Sequence, residues 1–209
     1  MVDKRNITYA NLMNEVKVRF DCINRIIHQP MGFPAPIKRE FCYLQLRFLC
    51  ELIALSCLVA HGDIGAIQSH KIGRETSADE ILKRLTNLRS HFYPIPVTIT
   101  KVPAPDGSQG LKFHVVEPSP LSKDELIGLY AKTHKFLHRG SLKKLMSMDT
   151  PIDMNFDAPE IVDLAQRMAS LLSIHTIAVK DGENILCLLR NEDDNYRTLV
   201  TTMSWDMPK

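Results

Sequence analysis

The first strong pattern is a helical one over residues 8–28, where apolar residues recur at three- and four-residue steps. Polar residues occupy the opposite side, and the apolar positions are Leu12, Val16, Phe20, Ile23 and Ile27. This spacing is that of an amphipathic helix with one face on a core. The prolines within residues 30–36 end the pattern, because proline removes a backbone donor and cannot continue a helix.

A second helical pattern covers residues 37–61 and is apolar on nearly every side, with two apolar stripes. One stripe contains Phe41, Leu44, Phe48, Leu52, Leu55 and Val59. The other contains Tyr43, Leu46, Cys50, Ile53, Cys57 and Leu58. A helix this apolar must be covered on several sides. We expect the first and third helices to cover one stripe, and the C-terminal sheet or a second subunit to cover the other.

The same segment raises the question of a membrane span, since residues 41–60 are about as long as a span requires. Gln45, Arg47 and Glu51 lie near its middle. The charges of Arg47 and Glu51 would each cost roughly 2.5–3.5 kcal/mol on insertion into a bilayer. The sequence therefore predicts a core helix and no membrane association.

Three further helices are indicated by their N-terminal residues. Serine or aspartate followed three residues later by glutamate forms a capping box, in which each side chain satisfies a backbone amide of the first turn. These boxes are Ser77–Glu80, Ser122–Glu125 and Asp157–Glu160. They predict a third helix ending near His91, a fourth over residues 122–138 and a fifth over 158–172.

Strands are predicted where the apolar period changes from 3.6 to 2 residues. Residues 95–99 and 111–115 alternate in this way around a turn-rich segment, which indicates a β-hairpin. Three more strands, over 174–180, 185–190 and 196–205, are separated by short turn sequences and predict an antiparallel meander.

The expected fold class is therefore α+β. It consists of an N-terminal helical bundle around the long buried helix at 37–61, then a β-hairpin, two helices and a C-terminal antiparallel β-meander. Helices give way to strands near Phe92, so we divide the chain into a helical region, 1–92, and an α+β region, 93–209. The two regions are either separate domains or one cooperative domain.

Composition adds little beyond a globular class, with 44% hydrophobic and 24% charged residues and a net charge of +2. Binding to nucleic acid would thus need a local basic patch. The five cysteines form no Cys-x-x-Cys pair, which argues against a zinc site and for reduced thiols. Together with the absence of a secretory signal at the N-terminus, they predict a cytoplasmic protein.

Two clusters offer candidate binding chemistry. His134 and His138 are four residues apart and could reach one metal ion, but no carboxylate lies between them, so we expect no metal and no other cofactor. A basic stretch with no acidic residue from 131 to 148 is suited to phosphates. The candidate nucleic-acid-binding residues are Lys132, Lys135, Arg139, Lys143 and Lys144. The alternative for this stretch is a solvated face.

Arg84 and His91, separated by six residues, form the one candidate catalytic pair. The pairing resembles the Arg-x4-6-His motif of the HEPN ribonucleases, which are small helical-bundle proteins. The resemblance implies that Arg84 stabilises a phosphate and His91 acts as acid or base on RNA, usually across a dimer. It covers eight residues, and the β-rich half of this chain departs from the family's pattern. The alternative is a solvated arginine and a histidine that caps the helix.

Arg47 and Glu51 lie four residues apart on the most apolar helix and can pair directly, so we interpret them as a structural polar pair. The chain has no phosphate-binding glycine loop, nucleophile elbow or His-Glu-x-x-His motif. The leading expectation is a non-catalytic interaction or regulatory protein that forms a homodimer or binds another protein. The alternatives are a HEPN-like ribonuclease or nucleic-acid-binding protein, and a small-molecule-binding domain with a pocket between helix and sheet.

Overall fold

The computed structural model describes residues 4–29, 32–62, 75–89, 91–103, 109–137, 155–180 and 182–204. The helices are α1 (Lys4–His28), α2 (Ala35–Ala60), α3 (Ala78–Leu88), α4 (Lys123–Leu137) and α5 (Ala158–Leu172). The strands are β1 (Ile95–Pro103), β2 (Gln109–Val115), β3 (Ile174–Lys180), β4 (Glu183–Asn191) and β5 (Arg197–Ser204). The predicted α+β layout, with N-terminal helices and a C-terminal meander, is confirmed.

Helix α2 lies at the centre of the molecule, in contact with α1, α3, α4, α5 and β3. Its second apolar stripe, from Tyr43 to Leu58, is buried throughout, whereas Phe41 in the first stripe is 36% exposed. The chain's own elements therefore cover the second stripe, and this stripe does not require a second subunit. The homodimer stays a prediction.

Helix α2 also has the length and mean hydropathy of a membrane-crossing helix, which no other described helix has. Within the fold, 67% of its most apolar 18-residue window is buried. Burial of this extent is what a core helix of a folded protein shows, because its apolar surface is already removed from solvent. The prediction of no membrane association stays a prediction.

The helix starts differ in how far they follow the predicted capping boxes. The box at Ser122 forms: its backbone N–H donates to the Glu125 carboxylate at 2.8 Å, and the Glu125 N–H donates to Ser122 Oγ at 3.3 Å. Asp157 accepts from the Glu160 N–H at 3.1 Å. The predicted capping box at Ser77 is wrong, because the Ser77 hydroxyl donates to the Asp79 carboxylate and makes no capping hydrogen bond.

The five strands form one antiparallel sheet in the order β2-β1-β3-β4-β5. The hairpin β1–β2 joins the meander through two residue pairs alone, Ile95 with Thr176 and Pro96 with His175. The sequence predicted the hairpin and the meander as separate elements. The sequence did not predict the pairing between β1 and β3, because these strands are distant in sequence and no local pattern encodes their contact.

Buried side chains from both predicted regions form one hydrophobic cluster. Tyr9 and Leu46 from the helical region, and Leu126, Leu171 and Ile185 from the α+β region, all have zero exposure. A contiguous core of this kind is typical of a single domain. That the two regions unfold as one unit stays a prediction.

Candidate functional site

A cleft of about 300 Å³ lies between α1, α5 and β4, and we call it the α1–α5 cleft. It is lined by Phe20, Ile23, Asn24, Ile27, His28, Val162, Ala165, Gln166, Ala169, Ser173, Leu189 and Arg190. The helical contributions follow three- and four-residue steps, so one face of α1 opposes one face of α5. The cleft thus lies between two helices and the sheet.

Two small residues leave room for the cleft. Ala165 and Ala169 are four residues apart on α5 and are both half-buried at its lining. A methyl group at these positions fills little of the space between α1 and α5, where a larger side chain would reach across. The apolar side chains beside them are buried or half-buried, whereas all five polar lining residues are exposed. The cleft therefore has an apolar floor and a polar rim.

The charge at the rim is positive. Among the lining residues the ionisable ones are His28 and Arg190, and none is acidic. Arg190 donates to Asp21 Oδ1 at 3.1 Å, with both side chains at least half exposed. Burial lowers the pKa of Lys17, and the positive charge of nearby Arg190 lowers it further. Lys17 and Arg190 together carry one more positive charge than Asp21 neutralises.

A second cleft of about 290 Å³, the α2–α4 cleft, is polar. It is lined by Arg47, Ser77, Asp79, Ile127, Tyr130, Ala131 and His134. Arg47 Nε lies 3.2 Å from Glu51 Oε1, and its Nη2 donates to the Tyr130 hydroxyl at 2.6 Å. That hydroxyl donates to Glu51 Oε1 at 3.2 Å, and the guanidinium lies 4.3 Å from the Tyr130 ring centroid. The polar groups of Arg47, Glu51 and Tyr130 therefore bind one another in a closed network.

The HEPN-like pair lies at the end of α3. Arg84 Nη2 is 3.5 Å from Glu75 Oε2 in an ion pair. The helix ends at Leu88 because Arg89 adopts an extended backbone, with φ −148° and ψ 135°. The exposed His91 therefore lies beyond the helix that carries Arg84, on the segment that leads to β1.

The basic stretch is described only in part. Lys132 donates to the Glu160 carboxylate, which also accepts from the Tyr43 hydroxyl at 2.7 Å. Lys135 and His134 are exposed on α4. The other predicted residues of this stretch lie outside the described residues: His138, Arg139, Lys143 and Lys144. In the described part of the chain, no three His, Cys, Asp or Glu residues are placed to hold a metal ion.

The large upward pKa shifts of the buried thiols and of Tyr9 follow burial. Burial raises the pKa of Cys42, Cys57 and Cys187 to about 12, and it raises that of Tyr9 well above its ordinary value. None of these four residues lines either cleft. Shifts that arise mainly from burial in a core indicate packing, whereas a catalytic group combines a shift with a cleft and a charged partner.

The sequence did not reveal the α1–α5 cleft. Alanines at 165 and 169 were an available signal, since two small residues four apart on a helix leave a shallow face. Their partners Phe20 and Leu189 are more than a hundred residues apart in sequence. Only the packing of α1 beside α5 and β4 brings these walls together.

No protein-family model, curated protein or solved structure matches this chain. The functional proposals below therefore depend on the geometry of the clefts and surfaces.

Proposed function

We propose that this protein is a non-catalytic regulatory protein that binds a small molecule in the α1–α5 cleft. The supporting observation is the cleft itself, which combines an apolar floor with a polar rim. Its volume of about 300 Å³ is at the lower end of the range of ligand pockets, roughly 300–1,000 Å³. Sites of this construction bind the apolar body of a ligand and orient it through a few polar groups.

Binding without turnover is favoured by the residue types at the cleft. His28 is the one lining residue suited to acid–base work, and it lies on the exposed rim. The Ser173 hydroxyl is the one nucleophile of the lining, and no hydrogen bond joins it to His28. Nucleophilic catalysis needs its base within hydrogen-bond distance of the nucleophile. A ligand that bridges α1, α5 and β4 would instead stabilise the fold through linkage.

The proposal is tested with the neutral fluorescent probe N-phenyl-1-naphthylamine. We expect saturable binding by the wild type and its loss in Ala169→Leu, because leucine fills the cleft while remaining a good helix former. Ala131→Leu, at the exposed α4 edge of the polar cleft, is the matched control and is expected to bind like the wild type. Equal binding by all three proteins would contradict the proposal.

A second candidate function is self-association, and an exposed apolar stripe supports it. Ile37 and Phe41 lie four residues apart on α2, Phe33 lies just before the helix, and the three are 45%, 36% and 46% exposed. Three side chains provide much less than the roughly 800 Å² per partner of a standard interface, so we expect a weak homodimer. Light scattering at increasing concentration should show a dimer in the wild type.

Phe41→Asp is the appropriate variant for this second candidate. Cys57 is fully buried, and Phe48 is half-buried with the Arg19 guanidinium 4.5 Å from its ring centroid, so aspartate at either position would disturb the core. Leu111→Asp, on the exposed face of the hairpin, is the control. A dimer unaffected by Phe41→Asp, or a monomer at every concentration, would reject this use of the stripe.

A further inference from the structure

We infer that the ligand of the α1–α5 cleft is a small amphipathic anion, an apolar body that carries one carboxylate, sulfonate or similar group. The inference rests on the proposed binding function and adds the chemical class of the ligand. Its basis is the distribution of charge, because the apolar floor meets a rim whose ionisable residues, His28 and Arg190, are both bases.

Arg190 is the expected anchor for the negative charge. A guanidinium presents two parallel N–H donors that match the two oxygens of a carboxylate or sulfonate. Its present partner is Asp21, and the two side chains are 50% and 59% exposed. Ion pairs this exposed are weak and are screened by salt, so a ligand anion can replace Asp21. Lys17, close to Arg190, adds positive potential at the same place.

Other ligand classes fit the rim less well. A cationic ligand would meet Arg190 and find no carboxylate among the lining residues. A neutral apolar ligand would fill the floor without using the N–H donors of Arg190, so it would bind less tightly than an anion with the same body. Neutral donors at the rim, on Asn24, Gln166 and Ser173, complement the oxygens of an anion. The volume of about 300 Å³ limits the body to a few rings or a short acyl chain.

The test compares two probes that share an aromatic body. 8-Anilinonaphthalene-1-sulfonate carries a sulfonate that N-phenyl-1-naphthylamine lacks. We expect the wild type to bind the sulfonate probe more tightly than the neutral probe. Added salt should lower the affinity for the sulfonate probe and leave that for the neutral probe unchanged. Arg190→Gln should lower the sulfonate affinity roughly five-fold, the effect of one exposed charge pair, and leave the neutral probe unchanged.

Arg197→Gln is the matched control, since Arg197 is an exposed strand arginine that lies 4.0 Å from Asp194. It should change the affinity for neither probe. If Ala169→Leu abolishes binding of the neutral probe but Arg190→Gln leaves the sulfonate affinity unchanged, the anion inference fails and the binding function stands. If Ala169→Leu affects neither probe, both fail. Circular dichroism checks the fold, and Ala165→Leu replaces Ala169→Leu if that variant is unfolded.

Discussion

Two fully buried histidines connect the N-terminal helices to strand β3, and they differ in what their ring nitrogens face. His175, in β3, has Nδ1 3.0 Å from the Leu172 carbonyl and Nε2 2.7 Å from the Tyr9 hydroxyl of α1. His61, just after α2, has Nδ1 2.9 Å from the Cys57 carbonyl and Nε2 2.9 Å from the Ala178 carbonyl of β3.

The partners of His175 suit a neutral ring. A neutral imidazole has one N–H donor and one acceptor nitrogen. Nδ1–H donates to the Leu172 carbonyl, and Nε2 accepts from the Tyr9 hydroxyl. Burial lowers the pKa of His175 to about 4, although the Leu172 hydrogen bond opposes this shift. A neutral His175 therefore satisfies both hydrogen bonds at this contact between α1 and β3, which we call the His175 junction.

The partners of His61 are both carbonyl oxygens, and carbonyl oxygens only accept. A neutral ring satisfies one of them, and a ring with protons on both nitrogens satisfies both. Equal burial thus leaves two histidines in different chemical situations. The difference teaches that two histidines of equal burial can have different hydrogen-bond requirements, so substitutions at the two junctions should have different consequences.

The largest expected effect is the loss of His61. His61→Phe removes the ring donor that faces the buried Cys57 and Ala178 carbonyls, which should lower the free energy of unfolding by about 3 kcal/mol. His61→Gln retains an amide donor but not the packing of the ring, and should cost about half as much. Urea denaturation at neutral pH measures both. Equal losses would show that packing, rather than hydrogen-bond donation, explains the effect.

The next effect is a pH dependence that originates at His175. The pKa is about 4 in the fold and about 6.5 in an unfolded chain, so the fold favours the neutral ring. The resulting stability is fully present above pH 6.5 and is lost as pH falls towards 4. The expected loss is roughly 3 kcal/mol, most of it before pH 4.5.

His175→Gln separates this contribution from that of the carboxylates. A backbone hydrogen bond from Ser122 is the main cause that lowers the pKa of Glu125 to about 2, so that group loses its contribution only below its ordinary range. Between pH 7 and 4.5 the variant should therefore show a flatter stability profile than the wild type. Parallel profiles would mean that His175 is not the titrating group.

A smaller effect is expected from Tyr9→Phe. Phenylalanine preserves the ring packing but removes the donor to His175 Nε2, leaving a buried acceptor unsatisfied, at a cost of about 1.5 kcal/mol. Tyr196→Phe is the control, because Tyr196 is 57% exposed. Its free energy of unfolding should match that of the wild type. An unchanged Tyr9→Phe variant would indicate that His175 finds another donor.

Local sequence signals predicted the elements of this fold well. The periodicity of α2, the capping box at Ser122 and the turn residues of the meander each act over a few neighbouring residues. The contact between Arg47 and Glu51 is of the same kind, since residues four apart on a helix are neighbours. At Ser77 even a local signal was ambiguous, because Asp79 offers the hydroxyl a competing acceptor.

Contacts between distant segments were not predictable in this way. No local pattern distinguishes His175 from other strand residues, and its partner Tyr9 is 166 residues away. The cleft has the same origin, since Phe20, Ala169 and Leu189 meet only after α1, α5 and β4 have packed. Chain topology, which no single segment encodes, places these side chains together.

The smallest expected effect is a change in thiol labelling, and it asks whether the two histidine junctions open separately. Cys57 precedes His61 by one turn, and Cys187 is paired in register with His175. Burial raises the pKa of both thiols to about 12, so labelling requires local opening. His61→Gln should accelerate N-ethylmaleimide labelling of Cys57 by about ten-fold relative to Cys187, equivalent to roughly 1.4 kcal/mol of opening.

Tyr9→Phe should instead accelerate the labelling of Cys187 relative to that of Cys57, because it weakens the junction at His175. Cys22, which is half-buried on α1, is the reference thiol in both variants and is expected to react fastest. Mass spectrometry of the labelled peptides gives the rate at each cysteine. Selective acceleration would show that the helical region and the α+β region are attached to each other at two independent junctions. If instead both thiols accelerate equally in each variant, the junctions open together, and residues 1–92 and 93–209 behave as one cooperative domain.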